Sequence, residues 1–389
     1  MFVLLMAIVQ ADGQNNKPVL VDYDSITVGA QRYSLYLPAL QNKRVALLVN
    51  HASLVGDKHL VDVLLLKHVN LVKIFSPEHG FRGKNDAGET VENGKDASSE
   101  LPIVSLYGKH KKPTDEDLQD VDVLVVDLQD VGVRFYTYIS TMSLAMEACA
   151  ENGVKVVVLD RPNPNGYYVD GPLLEKAFAS FVGMHPVPVV YGMTIGEYAK
   201  MVNGEHWLAN DVEADLEVVP MEGYKRNMIV KLKVDPSPNL PNWKSVYLYP
   251  SLCFFEGTVV SVGRGTHYPF QVYGHPDFPF GDFSFLPQSI PGRSKHPKLQ
   301  GEVCYGQYLS GYADNFQNNP EGINLTWLIS SYKYLSDKTD FFNNYFDKLA
   351  GSDALRKQIV DGKSQEEIRR SWQPGLKAFL KIRLKYLIY

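Results

Sequence analysis

Residues 72–83 read Val72-Lys73-Ile74-Phe75-Ser76-Pro77-Glu78-His79-Gly80-Phe81-Arg82-Gly83, an apolar run that passes directly into a charged loop. The run predicts a buried strand, which ends at Pro77 because proline lacks a backbone donor. Two glycines in the loop permit the positive φ angles that a tight turn requires. The loop therefore places Glu78, His79 and Arg82 at a strand end, where α/β enzymes carry catalytic groups. The alternative is an ordinary polar turn with a solvated Glu-His pair.

Apolar segments that alternate with helical patterns extend this strand into a larger sheet. Strands are predicted at 44–49, 72–75, 122–127, 155–159 and 187–191, and helical spacing is found at 58–67, at 136–152 and from Thr194. Continuous apolar strands of this kind are typical of a mostly parallel sheet with helices on both faces. Residues 20–245 are therefore predicted to form an α/β domain.

The sequence changes character after a connector at 236–241 that is rich in proline and asparagine. Apolar, aromatic and glycine-containing segments dominate 248–265, and helical patterns return near 325–335 and 341–349. The last residues, 379–389, predict a closing strand. We expect residues 246–389 to form a smaller α+β domain, since 389 residues are enough for two domains.

Composition and charge narrow the class of protein. Hydrophobic residues make up 45% of the chain and charged residues 21%, as in ordinary globular proteins. The net charge of −5, without a basic block, argues against nucleic acid as a partner. The three cysteines are too few and too widely spaced for a disulfide framework or a zinc site, so buried free thiols are expected.

The first eleven residues predict a signal peptide. Residues 2–9 are apolar, and the small residue Ala11 follows at a suitable cleavage position. The usual basic segment before the apolar stretch is missing, so a disordered or strand-forming N-terminus is the alternative. The stretch is too short to span a bilayer. We therefore expect an exported protein, periplasmic or extracellular, without stable membrane insertion.

Four of the predicted strands end in polar clusters. The clusters are Asn50-His51, Glu78-His79 with Arg82, Asp127 with Gln129, Asp130 and Arg134, and Asp160-Arg161 with Asn163. In a parallel sheet these strand ends lie at one edge, so the clusters are expected to converge in one crevice. Polar loops are common in α/β proteins, but charged side chains directly after four apolar strands favour a shared active or binding site.

The motifs of several other enzyme classes are absent. The sequence has no glycine-rich dinucleotide fingerprint, no phosphate-binding Gly-Lys-Ser/Thr loop and no Gly-x-Ser-x-Gly nucleophile elbow. Metal ligands are available in His51, Glu78, His79, Asp127 and Asp160, but without compact spacing, so no metal site is predicted. Carboxylate chemistry fits best, because a glycosidase needs an acid at the leaving oxygen and either a second carboxylate or the acetamido group of the substrate. A metal-dependent hydrolase and a non-catalytic sugar-binding protein are the alternatives.

Several motifs resemble those of a single family. They are Ser-Pro-Glu-His-Gly-Phe-Arg-Gly at 76–83, Asp-Leu-Gln-Asp-Val-Gly-x-Arg-x-Tyr-Thr-Tyr at 127–138, Asp-Arg-Pro-Asn-Pro at 160–164, Phe-Glu-Gly-Thr-x-x-Ser-x-Gly-Arg-Gly-Thr at 255–266, and the segments 372–375 and 386–389. With these motifs the chain resembles the NamZ family of exo-β-N-acetylmuramidases over nearly all its length. The resemblance implies a Rossmann-like N-terminal domain, a smaller C-terminal domain and a cleft between them. It also implies release of N-acetylmuramic acid from the non-reducing ends of peptidoglycan fragments, without a cofactor.

The expected catalytic residues are Glu78, His79 and Asp127. The resemblance implies that Glu78 is the catalytic acid, and it leaves the second catalytic group unassigned. His79 is expected to position Glu78 or to bind sugar hydroxyls. Asp127 is expected to orient the acetamido group or to activate water.

Ten further residues are expected to bind substrate. They are His51, Arg82, Gln129, Asp130, Arg134, Tyr136, Asp160, Asn163, Glu256 and Arg264. The three arginines are candidates for binding the lactyl carboxylate of muramic acid through two parallel hydrogen bonds. Glu256 lies in an apolar stretch, so it is either a crevice residue or the partner of Arg264 in an ion pair.

Overall fold

The computed structural model describes residues 17–78, 80–81, 94–279, 281–319, 322–337 and 339–389. Within these residues the strands are β1 (Val19–Asp22), β2 (Val45–Val49), β3 (Leu54–Val55), β4 (Lys58–His59), β5 (Leu71–Ser76), β6 (Gly94–Lys95), β7 (Pro102–Ser105), β8 (Val123–Asp127), β9 (Lys155–Leu159), β10 (Asp170–Leu173), β11 (Pro188–Val190), β12 (Leu216–Val219), β13 (Met228–Lys231), β14 (Val272–His275), β15 (Phe283–Phe285) and β16 (Cys304–Tyr308). The α-helices are α1 (Tyr33–Leu40), α2 (Leu60–Leu66), α3 (Asp115–Leu118), α4 (Tyr138–Asn152), α5 (Ile195–Gly204), α6 (Trp243–Leu252), α7 (Ser310–Asp314), α8 (Thr326–Leu335), α9 (Phe346–Ala350), α10 (Ala354–Val360) and α11 (Gln365–Arg383). Short 3-10 helices span Tyr23–Ser25, Gly29–Gln31, Lys176–Phe178, Ala209–Asp211 and Cys253–Gly257.

Seven strands form the central sheet, in the order β12-β9-β8-β2-β5-β7-β6. Neighbouring strands are parallel, except that the short edge strand β6 pairs antiparallel with β7. The chain enters this sheet in the middle at β2, adds strands on one side, and then crosses back to add β8, β9 and β12 on the other side. The order reverses between β2 and β8, and a crevice opens outside such strand ends. The predicted mixed α/β fold with a mostly parallel central sheet is confirmed.

Each face of this sheet packs against its own hydrophobic core. Along β8, Leu124 and Val126 belong to one core, whereas Val123 and Val125 belong to the other. The first core includes residues of α4 and α5, and the second includes residues of α1 and α2. Every residue of β8 is buried, as expected for a strand that is covered on both faces.

Local sequence signals set the helices that cover the first face. The C-cap of α4 is Gly153, with a φ of +65°, the left-handed conformation that glycine adopts without strain. At the start of α5 the Thr194 hydroxyl accepts from the Glu197 amide at 3.3 Å, and the Glu197 carboxylate accepts from the Thr194 amide at 3.0 Å. Both predicted helix boundaries are therefore confirmed.

The sheet differs from the sequence prediction in four strands. The predicted strand at 187–191 exists as β11, but it pairs antiparallel with β10 in a separate two-stranded sheet. The central sheet instead gains β7 and β12, together with the two-residue edge strand β6, and none of these was predicted. β7 begins with a proline, and three of the four residues of β12 are only partly buried, so neither has the continuous apolar run that marked the other strands.

The second half of the chain contains a small antiparallel sheet, β14-β16-β15, and six helices among the described residues, α6 to α11. The expected closing strand at 379–389 is wrong, because α11 continues to Arg383. The buried residues of this helix recur every three or four positions on one face, namely Ile368, Trp372, Leu376 and Phe379. Phe254, Phe346 and Trp372 share the first hydrophobic core with the central sheet, so the two halves pack together closely.

The three cysteines, Cys149, Cys253 and Cys304, are buried and free, as predicted. Within the described ranges, no helix combines the length and the apolar character that crossing a membrane requires.

Candidate active site

Glu78 follows the carboxyl end of β5, next to the central strand β2. The loop turns back at once, because the Gly80 amide donates to the Pro77 carbonyl at 3.1 Å and Gly80 has a φ of +77°. Phe81 then anchors the loop in the second core, with its ring edge-on to His59 at 4.7 Å between centroids. The turn and its anchor hold Glu78, which is partly buried, at the edge of the sheet.

Hydroxyl groups surround the Glu78 carboxylate. The Thr137 hydroxyl donates to Glu78 Oε2 at 3.1 Å, and the Tyr138 hydroxyl donates to the Glu78 carbonyl at 3.5 Å. Burial raises the pKa of Tyr107, and the charge of Glu78, to which its hydroxyl is hydrogen-bonded, raises it further. Tyr107 therefore stays protonated near neutral pH and acts as a donor to Glu78.

The second half of the chain supplies the opposite side of the site. Arg264 Nε lies 3.1 Å from Glu256 Oε2, and both side chains keep about a quarter of their surface exposed (24% and 25%). The Tyr345 hydroxyl lies near both this pair and Glu78: partial burial raises the pKa of Tyr345, and Cys253, Glu256 and Glu78 raise it further. The ion-pair interpretation of Glu256 is confirmed, and the pair also borders the site.

Aromatic rings connect the two sides. Tyr138, whose hydroxyl contacts the Glu78 backbone, packs edge-on against Tyr136, with 4.8 Å between ring centroids. Tyr136 contacts Tyr249 at 6.3 Å, and Tyr249 contacts Phe270 at 4.9 Å. The Arg264 guanidinium lies 5.0 Å above the Phe270 ring. We call the four rings of Tyr136, Tyr138, Tyr249 and Phe270 the aromatic wall.

Asp127 forms a buried ion pair with Arg161. Its carboxylate receives two hydrogen bonds from Arg161, from Nε at 2.5 Å and from Nη2 at 2.8 Å, and both side chains are buried. Arg161 also donates to the Tyr23 hydroxyl and to the Leu54 carbonyl. These contacts give Asp127 a structural role beneath the strand ends, in place of the expected catalytic one.

Arg134 is fully buried and does not reach the crevice. Its guanidinium donates to the backbone carbonyls of Pro172, Val187 and Leu349 at 2.8, 2.7 and 2.9 Å. Burial lowers the pKa of Arg134 to about 9. This arginine therefore ties the two halves together, and the structure does not place it where a substrate carboxylate would bind.

Asp160 and Asn163 are likewise committed to internal contacts. Asp160 accepts hydrogen bonds from the Arg161 and Gly196 amides and from the Thr194 and Tyr389 hydroxyls, at 2.7–3.0 Å. Burial raises its pKa to about 7. The Asn163 amide donates to the Met193 carbonyl at 2.7 Å, and its oxygen accepts from the Asn165 amide at 2.8 Å. Both side chains hold the loop after β9 in place.

Gln129 and Asp130 are buried beneath the point where the strand order reverses. Gln129 donates to the carbonyls of Asp130 and Pro162, both at 2.8 Å. Asp130 accepts from the Gly132 amide at 2.8 Å and from the Tyr191 hydroxyl, and burial raises its pKa to about 6. These contacts hold the loop after β8 in place.

Tyr136 and His51 bind the connector that joins the two halves. The Tyr136 hydroxyl donates to the Pro236 carbonyl at 2.5 Å, and its ring belongs to the aromatic wall. His51 Nε2 lies 2.7 Å from the Asp235 carbonyl oxygen. Two of the expected site residues, His79 and Arg82, lie outside the described residues.

Three residues of the site were not predicted: Tyr107, Thr137 and Tyr345. Tyr107 follows β7, so recognition of that strand would have placed it at the same sheet edge as Glu78. Thr137 stands in the Tyr-Thr-Tyr motif at 136–138 but lies inside the segment predicted as a helix, so nothing in the sequence marked its hydroxyl as part of the site. Tyr345 lies far from Glu78 in sequence, and no local pattern marks it.

No group of three or more His, Cys, Asp or Glu side chains in the part of the chain that the structure describes is arranged to hold a metal ion.

Comparisons with known proteins cover both halves of the chain. Residues 45–244 match the family described as exo-beta-N-acetylmuramidase NamZ, N-terminal, and residues 247–389 match its C-terminal counterpart. Peptidoglycan beta-N-acetylmuramidase NamZ of Bacillus subtilis (strain 168) is 41% identical over 375 residues, which are 91% of this chain and 89% of that protein.

Two solved structures are similar to this chain over nearly its whole length. A crystal structure of a DUF1343 family protein from Bacteroides fragilis NCTC 9343 superposes with a TM-score of 0.85 at 46% identity, covering 94% of this chain and 99% of that one. A second DUF1343 family protein from the same organism gives a TM-score of 0.76 at 30% identity, with the same coverage. From its matches over both halves, the chain belongs to the NamZ family of exo-β-N-acetylmuramidases.

Proposed function

We propose that this chain is an exo-acting glycoside hydrolase that releases N-acetylmuramic acid from the non-reducing ends of peptidoglycan fragments, with Glu78 as its general acid. The observation that carries the proposal is the placement of Glu78. It is partly buried at the carboxyl edge of a parallel sheet, it is held by Thr137 and Tyr107, and Arg264 and Tyr345 border the same site. Family membership supports the same reaction.

The chemistry requires a proton donor at the leaving oxygen of the glycosidic bond. Glu78 supplies that proton, and the hydroxyls of Thr137 and Tyr107 hold its carboxyl group in one orientation. The buried ion pair with Arg161 argues against Asp127 as the second catalytic group. Two candidates are Glu256, which lies near Tyr345 as Glu78 does, and the acetamido group of the substrate.

The domain organisation is part of the proposal. We infer that residues 20–245 form a Rossmann-like catalytic domain and that residues 246–389 form a smaller α+β domain that completes the cleft. Counted along the chain without β6, the parallel strands have the order 3-2-1-4-5-6 of a dinucleotide-binding sheet. Export to the periplasm or cell exterior stays a prediction from residues 2–9, which lie outside the described residues.

Product analysis on a defined disaccharide tests the reaction. With N-acetylmuramic acid at the non-reducing end and N-acetylglucosamine at the reducing end, we expect both free monosaccharides to appear in equal amounts. Reversing the order of the two sugars should stop the reaction. Saturable binding of the disaccharide without any product would instead support a non-catalytic sugar-binding protein.

Replacing Tyr107 by phenylalanine is expected to lower kcat by about 2- to 10-fold, since one hydrogen bond to Glu78 is lost. KM should change less, because the hydroxyl contacts the acid. Steady-state kinetics with a chromogenic N-acetylmuramic acid glycoside measure both constants. Tyr305→Phe, at an exposed tyrosine of β16, serves as the matched control and should behave as wild type. Equal kcat values for the two variants would contradict a role for Tyr107 in orienting Glu78.

A further inference from the structure

Arg264 stands on a turn whose backbone permits little variation. Gly263 and Gly265, on either side, both have a φ of +77°. A Cβ atom at Gly263 would lie 2.4 Å from Val272 Cγ2, and one at Gly265 would lie 2.4 Å from the Gln288 carbonyl oxygen. Both positions therefore require glycine, and the turn fixes where the Arg264 side chain begins.

The Arg264 side chain is also held at its far end. Nε donates to Glu256 Oε2 at 3.1 Å, and the guanidinium stacks over Phe270. Within the described part of the chain the two terminal amino groups, Nη1 and Nη2, make no hydrogen bond, and the side chain is 24% exposed. A guanidinium that is fixed through Nε presents these two groups side by side, which is the geometry that a carboxylate accepts.

The local charge balance favours an anion. Lys298 lies beside the pair, with its ammonium group donating to the backbone carbonyls of Phe255 at 2.8 Å, Val260 at 3.1 Å and Thr258. Arg264 and Lys298 together carry two positive charges against the single negative charge of Glu256. One positive charge is therefore uncompensated within this group, and the Arg264 side chain keeps 24% of its surface exposed.

Arg264 and Glu78 border the same site. The aromatic wall runs from the Glu78 loop to Phe270, under Arg264, and Tyr345 lies near both. In muramic acid the lactyl group is attached at C3, two ring atoms from the anomeric carbon, so its carboxylate projects away from the bond that is cleaved. A sugar with its anomeric carbon at Glu78 therefore holds this carboxylate away from the acid.

We propose that Arg264 binds the lactyl carboxylate and so distinguishes N-acetylmuramic acid from N-acetylglucosamine. This inference rests on the proposed function. Of the three candidate arginines, Arg134 donates its hydrogen bonds to backbone carbonyls, and Arg82 lies outside the described residues. Glu256 acts as a positioning residue, since it fixes the guanidinium through Nε.

The test compares two inhibitors that differ only in the carboxylate. Binding of N-acetylmuramic acid and of its lactyl methyl ester is measured by calorimetry with wild type and with Arg264→Gln. Wild type should bind the acid more tightly than the ester. In Arg264→Gln the affinity for the acid should fall by about 10- to 100-fold, the value of a hydrogen bond to a charged group, while the affinity for the ester stays close to wild type.

A conservative variant of Arg264 and a control variant at a distant arginine complete the test. Arg264→Lys keeps the charge but loses the paired N–H groups, so it should retain only part of the preference for the acid. Arg44→Gln removes an arginine that is paired with Asp122 at 2.8 Å near the amino ends of β2 and β8, and should leave both affinities unchanged. Equal losses for acid and ester in the Arg264 variants, or no loss for either, would overturn the proposal. Absence of turnover in wild type would instead count against the proposed function, because the comparison of acid with ester needs no turnover.

Discussion

Replacing Glu78 by glutamine is expected to lower kcat for the release of N-acetylmuramic acid by about 10²- to 10⁴-fold, the range for loss of a general acid. Glutamine keeps the size of the side chain and can still accept from Thr137, so the loop should hold its shape. What is lost is the proton for the leaving oxygen. The constants are measured with a defined disaccharide, whose leaving sugar hydroxyl needs protonation.

Changing the leaving group separates general acid catalysis from a structural effect. An aryl glycoside with a strongly acidic phenol leaves without protonation, so Glu78→Gln should cost much less with that substrate than with the disaccharide. Glu222→Gln, at an exposed glutamate paired with Arg32, is the matched control and should retain wild-type rates on both substrates. The same loss on both substrates would show that Glu78 does not act as the proton donor.

The strands of the fold were predictable where burial on both faces leaves a continuous apolar run, as in 45–49 and 123–126. The same criterion failed at the edges. Leu216–Val219 is half-covered and includes a glutamate, so its sequence does not differ from that of a loop. Pro188–Val190 is as apolar as the central strands because it is also buried, and hydrophobicity alone does not determine which sheet a strand joins.

The site was predictable in its location but less so in its members. Charged residues at strand ends predicted a site at one edge of the sheet, and the structure places Glu78 at that edge. The residue type, however, does not show whether a charged side chain binds a ligand or pairs with another group of the protein. Asp127 and Arg161 are 34 positions apart in sequence and form an ion pair with each other. Arg134 donates hydrogen bonds to three backbone carbonyls from distant segments. Tyr345 lies near Glu78 because the two halves pack together.

Replacing Asp127 by asparagine is expected to destabilise the fold by about 3–5 kcal/mol, the cost of breaking a buried ion pair by removal of one partner. The Arg161 side chain is 1% exposed, and without the carboxylate its charge would face the Tyr23 hydroxyl and the Leu54 carbonyl. Chemical denaturation measures the change in the free energy of unfolding. The kcat of the protein that remains folded should stay near the wild-type value, because Asp127 contacts Arg161 and not Glu78.

The double variant Asp127→Leu/Arg161→Met decides whether the pair matters as charge or as packing. It removes both buried charges and fills the space with apolar atoms, so it should regain much of the stability that Asp127→Asn loses. Asp122→Asn, which breaks the exposed pair with Arg44, should change stability little, since water already solvates both of those groups. If Asp127→Asn unfolds like wild type but loses turnover, the carboxylate takes part in catalysis. In that case the ion pair with Arg161 would be a feature of the unliganded protein, and substrate binding would have to separate Asp127 from Arg161.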